Sequence, residues 1–143
     1  SLLGTTFMEP LDSPFKTADR ILSEAAGRYD FALVDIHGEA TSEKLALARY
    51  LDGRAAAVFG THTHVPTADI QVLPGGTGYI TDLGMTGSTE GILGVKTESV
   101  LHKFLKRTPV YFEPAAGRCA GQGALFAIDP ATGSCVGAER VDF

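Results

Sequence analysis

Cysteine is scarce in this chain: two residues, Cys119 and Cys135, among 143. Two thiols cannot build a disulfide framework. Neither has a second cysteine at zinc-pair spacing, so both are expected to be free and reduced. Long apolar runs are also missing, and none approaches the roughly 20 residues needed to cross a bilayer. The opening Ser1-Leu2-Leu3 carries no basic leader, no cleavage-type apolar segment and no initiator methionine. The expectation is a cytoplasmic protein, cut at its N-terminus, with no membrane partner. Basic charge is in short supply too, with 12 Lys and Arg against 17 Asp and Glu, a net charge of −5. Apart from Lys103, Lys106 and Arg107 at one helix end, the cations are scattered. That excludes the basic stripe a nucleic-acid polymer demands. If a phosphate is handled here, something other than side-chain cations must neutralise it, and a metal ion is the simplest candidate.

What is present is a globular composition, 44% hydrophobic and 20% charged, of a length that suits one domain. Residues 8–16 read as an irregular lead-in with two prolines. Thr17 is placed to cap a helix over 18–27. Residues 31–36 read as a largely buried strand, and Thr41 or Ser42 as the cap of a helix reaching Leu51 with Leu45, Ala48 and Leu51 inward. Residues 55–59 form the next strand, so 30–59 make a strand–helix–strand unit expected to be parallel. Residues 70–73 and 79–82 flank Pro74-Gly75-Gly76-Thr77 as a hairpin. Residues 84–94, with four glycines, read as a loop. A third helix is expected over 98–107 with Val100, Leu101, Phe104 and Leu105 inward. A β-rich tail follows through 110–112, 124–128 and 135–141, with a turn at 129–133.

Three of the four histidines fall at the ends of two of these strands. His37 follows the strand ending at Ile36, and His62 and His64 follow the strand ending at Phe59. Parallel strands joined by a crossover helix release their loops at the same sheet edge, where ligands bind in open α/β sheets. Imidazole is the commonest metal ligand near neutral pH, so the cluster points to a metal site. Asp35, Glu39, Asp69 and Asp82 are nearby carboxylates that could orient a ligating imidazole. Thr61 and Thr63 fit loop capping or substrate contact equally well. His102 lies within a helical pattern and reads as solvent-exposed.

The segments Val34–Lys44 (VDIHGEATSEK), Tyr50–Arg54 (YLDGR), Gly60–Asp69 (GTHTHVPTAD), Leu73–Thr77 (LPGGT) and Tyr79–Gly87 (YITDLGMTG) closely resemble the bacterial YmdB-like metallophosphoesterases. The similarity runs from about Leu3 to the end of the chain. It implies an α/β fold that is part of a four-layer α/β/β/α sandwich. It also implies a dinuclear centre of two divalent metal ions, iron or manganese first, with zinc or magnesium as alternatives. The implied activity is hydrolysis of small phosphodiesters such as 2′,3′-cyclic nucleotides. Carried over by position, His37 and His62 would ligate one metal and His64 the other, with residues 84–94 helping to select substrate. The family's N-terminal motifs are absent, so residues 1–143 would be the C-terminal portion of one metallophosphoesterase domain. Such a portion is expected to be inactive alone and to self-associate as a homo-oligomer. The alternatives are a non-catalytic metal-binding or interaction domain and a protein phosphatase.

Overall fold

A computed structural model describes residues 1–9 and 11–143. Its centre is a five-stranded sheet. The strands are β1 (Leu2–Leu3), β2 (Leu33–His37), β3 (Ala57–Thr61), β4 (Gln71–Val72) and β5 (Gly78–Ile80), in the order β1-β2-β3-β5-β4. The first four in that order run parallel, and β4 closes one edge antiparallel to β5. The expected parallel unit and hairpin are therefore both present. Helices α1 (Pro14–Glu24) and α2 (Thr41–Tyr50) supply the connections on either side of β2.

Side chains alternate across the sheet, and the two faces differ. Val34, Ile36, Val58 and Tyr79 point to the helix side, where they join Leu2, Ala18, Leu47, Ala48, Leu51 and Leu73 in one buried cluster. The opposite face is covered only near β5. There the hairpin β8 (Gln122–Ile128) with β9 (Cys135–Asp142) packs against it. A β-carbon on Gly78 would lie 2.4 Å from the Phe126 ring, so glycine lets the hairpin approach. Over β1 and β2 the same face is open, and Leu3 and Leu33 are exposed. The reading of residues 31–36 as a largely buried strand is thus corrected. β2 alternates, because only its helix-side residues are covered.

Several boundaries move for identifiable reasons. The first helix begins at Pro14, inside the expected lead-in, because proline at the first turn needs no N–H partner and already holds a helical φ. Thr17 is consequently helical, its N–H bonded to the Ser13 carbonyl. Thr41 opens α2 rather than capping it, and Ala40 occupies the cap without a side-chain bond. The inward face of α2 is Lys44, Leu47, Ala48 and Leu51, while Leu45 is exposed. Residues 84–94 are largely loop, but β6 (Gly87–Ser88) pairs with β7 (Cys119–Ala120). In α3 (Thr97–Lys106) only Val100 is buried, and Leu101, Phe104 and Leu105 face outward. Residues 110–112 are not a strand, and the tail's pairing is the β8–β9 hairpin. Both cysteines are free, Cys119 exposed and Cys135 buried. Among the described residues no helix is long and apolar enough to cross a membrane.

Candidate functional site

His37 is the last residue of β2 and pairs in register with Thr61, the last residue of β3. Parallel pairing places both at one edge, and alternation puts Asp35, His37 and Thr61 on the same, open face. Thr61 Oγ1 lies 2.9 Å from Asp35 Oδ1 and 3.0 Å from His37 Nδ1. A threonine hydroxyl has one proton to give. With that proton on the Asp35 carboxylate, Thr61 must accept from His37 Nδ1–H. His37 Nε2 is then the lone-pair nitrogen, assigned from the hydrogen-bond network.

That nitrogen faces His62 Nδ1 at 3.1 Å, with the two rings edge to face at 4.8 Å between centroids. Metal–imidazole bonds are about 2.1 Å, so two nitrogens at a right angle on one ion lie about 3 Å apart. The spacing suits one metal ion held by both rings. On the other side of the ring, His62 Nε2 lies 3.1 Å from Glu39 Oε2. His64 stands apart. Its ring has no hydrogen-bond partner among the described residues, and it lines a hollow that neither His37 nor His62 borders. Among the described residues no group of three or more His, Cys, Asp or Glu side chains is placed to hold a metal ion. The donor set fits a divalent metal in chemistry and in the spacing of one pair. Two imidazoles alone leave both its charge and its coordination sphere incomplete.

The backbone carrying these histidines is unusual. His62 has φ 112° and His64 φ 64°, both in the left-handed half of the map, which side chains other than glycine rarely occupy. Such conformations cost about 1–3 kcal/mol each and persist only when their surroundings enforce them. The enforcing group is a buried ion pair. Lys44 and Asp82 side chains are both 0% exposed, with Lys44 Nζ 3.1 Å from Asp82 Oδ2. Lys44 Nζ also donates to the Thr61 carbonyl at 2.8 Å. Asp82 accepts the Thr63 N–H at 2.9 Å and the Gly84 N–H at 3.0 Å. The pair therefore grips the chain just before His62 and again between His62 and His64. Burial opposes the Asp82 charge, but the Thr63 and Gly84 amides and Lys44 outweigh it and hold the carboxyl below its ordinary range.

The four flanking carboxylates thus play different parts. Asp35 reaches His37 through Thr61, and Glu39 meets His62 directly. Asp69 bonds the Thr81 N–H and hydroxyl rather than an imidazole, and Asp82 bonds backbone and lysine. Asp69 is also held below its ordinary range, since hydrogen bonds from Thr67 and Thr81 overcome burial. His102 is exposed, as its helical position suggested. Reading the sequence missed Lys44, although a signal existed: it occupies the inward row with Leu47, Ala48 and Leu51, where an unpaired charge would be untenable.

The sequence and the fold both recur in known proteins. The chain is 51% identical over 141 residues to a 2′,3′-cyclic-nucleotide 2′-phosphodiesterase of Bacillus subtilis, covering 99% of this chain and 53% of that protein. It is 38% identical over 148 residues to a putative phosphatase/phosphodiesterase of Mycoplasma pneumoniae, covering 50% of it. Among solved structures, a hypothetical protein from Thermus thermophilus superposes with TM-score 0.91 at 45% identity, over 99% of this chain and 54% of that one. A Mycoplasma pneumoniae protein described as a novel phosphatase gives TM-score 0.88 at 34% identity, with 99% and 50% covered. The chain spans about half the length of the curated relatives it matches. The profile of the family described as YmdB-like protein matches residues 1–141, and the chain belongs to that family.

Proposed function

We propose that the protein to which this chain contributes is a metal-dependent phosphodiesterase acting on small diesters, 2′,3′-cyclic nucleotides foremost. The observation that carries the reading is the His37 Nε2–His62 Nδ1 pair, 3.1 Å apart at the carboxyl edge of a parallel sheet. The names of the relatives support the reaction class. In this reading residues 1–143 are the C-terminal portion of one domain, and the complete domain is a four-layer α/β/β/α sandwich. His37 and His62 hold one metal ion and His64 a second, with iron or manganese favoured over zinc or magnesium. The remaining ligands, carboxylates that offset the charge, come from outside this chain.

When bound, divalent ions supply positive charge to the phosphoryl oxygens and acidify water. This chain's own residues do the positioning. Thr61 and Asp35 keep His37 in the tautomer whose Nε2 is free to bind. Glu39 orients His62, and the Lys44–Asp82 pair fixes the loop between the two strands. Hydrolysis joins the oxygen of water to phosphorus and breaks one P–O ester bond of the cyclic phosphate. The released ribose oxygen takes up a proton.

The test is His37→Ala and His62→Ala in the full-length protein, with metal content and cyclic-nucleotide turnover both measured. Even residues that only orient ligands are worth 10- to 100-fold, so each change is expected to lower turnover by about 100-fold or more and to reduce bound metal. Unchanged metal and rate would remove these residues from the site. A non-catalytic role for residues 1–143 by themselves is favoured by the lack of a three-ligand cluster among the described residues. Turnover by the isolated chain would defeat it. The phosphatase alternative is decided by comparing mono- and diester substrates, a preference for monoesters being the result that favours it.

A further inference from the structure

The hollow beside His64 is bordered by neither His37 nor His62. Its volume is about 190 Å³, and its walls include His64, Pro66, Met85, Leu93, Ala120 and Gln122. Sites for drug-sized ligands start at roughly 300 Å³, so this one suits a single flat ring system rather than a whole nucleotide. Apart from His64, none of its lining residues is ionisable. A phosphate would find no lysine or arginine there, whereas a neutral ring would lose little on leaving water.

The polar group in its wall has a fixed sense. Gln122, the first residue of β8, accepts the Met85 N–H through Oε1 at 3.1 Å. Only the carbonyl end of an amide can accept, so Nε2 is the end left over, and it has no partner among the described residues. Gly84 makes this placement feasible. Its φ is +90°, and a β-carbon there would lie 2.3 Å from Gln122 Oε1. Every nucleobase carries an in-plane acceptor. Ring recognition by apolar walls with a few fixed hydrogen bonds is how enzymes read an unstacked base. The Met85 thioether is a good neighbour for an aromatic face.

We infer that this hollow is a nucleobase subsite, with Gln122 Nε2 donating to an acceptor on the base while the phosphate lies toward the histidines. The inference rests on the phosphodiesterase reading above and adds to it which face of the site takes the base. The full-length protein is assayed with uridine 2′,3′-cyclic phosphate and with the cyclic phosphate of methyl riboside, which has no base. Two variants are compared with wild type. Gln122→Glu keeps an oxygen for the Met85 amide and removes the donor, and Ala120→Leu fills the hollow without touching the amide.

The expected result is a fall in kcat/KM of about tenfold or more for the nucleotide relative to the base-free diester, carried mainly by KM, as for loss of one hydrogen bond from a buried site. Equal losses on both substrates in both variants would overturn the subsite while leaving the phosphodiesterase reading intact. So would a wild-type protein that does not distinguish the two diesters. A wild-type protein that cleaves neither overturns the phosphodiesterase reading and the subsite with it.

Discussion

At the scale of single residues, the site depends on hydrogen-bond sense as much as on distance. Thr61→Val keeps the shape but removes both the link to Asp35 and the acceptor for His37 Nδ1–H. We expect metal affinity or turnover of the full-length protein to fall 10- to 100-fold, as for other partners of ligating histidines. Thr61→Ser, which keeps the hydroxyl, should restore most of it. Equal behaviour of the valine and serine variants in metal titration would sink the relay. Lys44→Met strands a buried aspartate, and such losses cost about 3–5 kcal/mol. A urea midpoint close to wild type would contradict that. The histidines were legible from sequence because their residue type is rare here and strand ends are easy to locate. The relay was not, since nothing in a Gly-Thr-His-Thr-His string says which threonine faces a ring. That requires the register His37 opposite Thr61.

At the scale of elements, close approach explains what patterning does not. A β-carbon at Gly60 would lie 1.8 Å from the Thr81 carbonyl and 2.7 Å from the Lys44 stem. β3 and the chain leaving β5 are therefore drawn together where the lysine passes. Overpacking of this kind costs about 1–3 kcal/mol or more, so Gly60→Ala should lower the denaturation midpoint measurably. An unchanged midpoint would show that the strands can part freely.

Helix α2 is tied to β1 by Glu43, whose carboxylate accepts the Thr5 and Thr6 amides and the Thr5 hydroxyl at 2.9–3.1 Å. Burial opposes its charge, but these donors prevail and hold the carboxyl below its ordinary value of 4.5. A lowered native value contributes stability above about pH 4.5 that is lost as pH falls through the native value. Glu43→Gln is expected to cost about 1–2 kcal/mol at neutral pH, with the gap to wild type closing in acid. A gap independent of pH would assign the loss to packing. The order of helices and central strands was readable from periodicity and turn residues, whereas the start of α1 at Pro14 was not. Two prolines four positions apart look like a breaker in the string, and only the observed dihedrals show one of them opening a helix.

At the scale of the molecule, half of the sheet's second face and most of α3 lack cover. Leu33 on the sheet, and Leu101, Phe104, Leu105 and Tyr111 on and just after α3, are 47–94% exposed, and large exposed apolar side chains favour association. Residues 1–143 alone should self-associate in sedimentation experiments, and Phe104→Glu with Leu105→Glu should shift the distribution toward monomer. A monomeric wild-type chain at high concentration would contradict this. The inward assignment of Leu101, Phe104 and Leu105 failed for the same reason: periodicity reports that a face is apolar, not which body covers it.

The left-handed backbone at His64 also has a consequence for tolerance to change. Glycine adopts φ 64° without strain, and the about 1–3 kcal/mol relieved is offset in part by unfolded-chain entropy of about 0.4–1 kcal/mol. His64→Gly should melt within a few degrees of wild type while discarding an imidazole. If His64 serves the proposed metal site, durability and chemistry are separable at this position, and drift there would silence the protein without unfolding it.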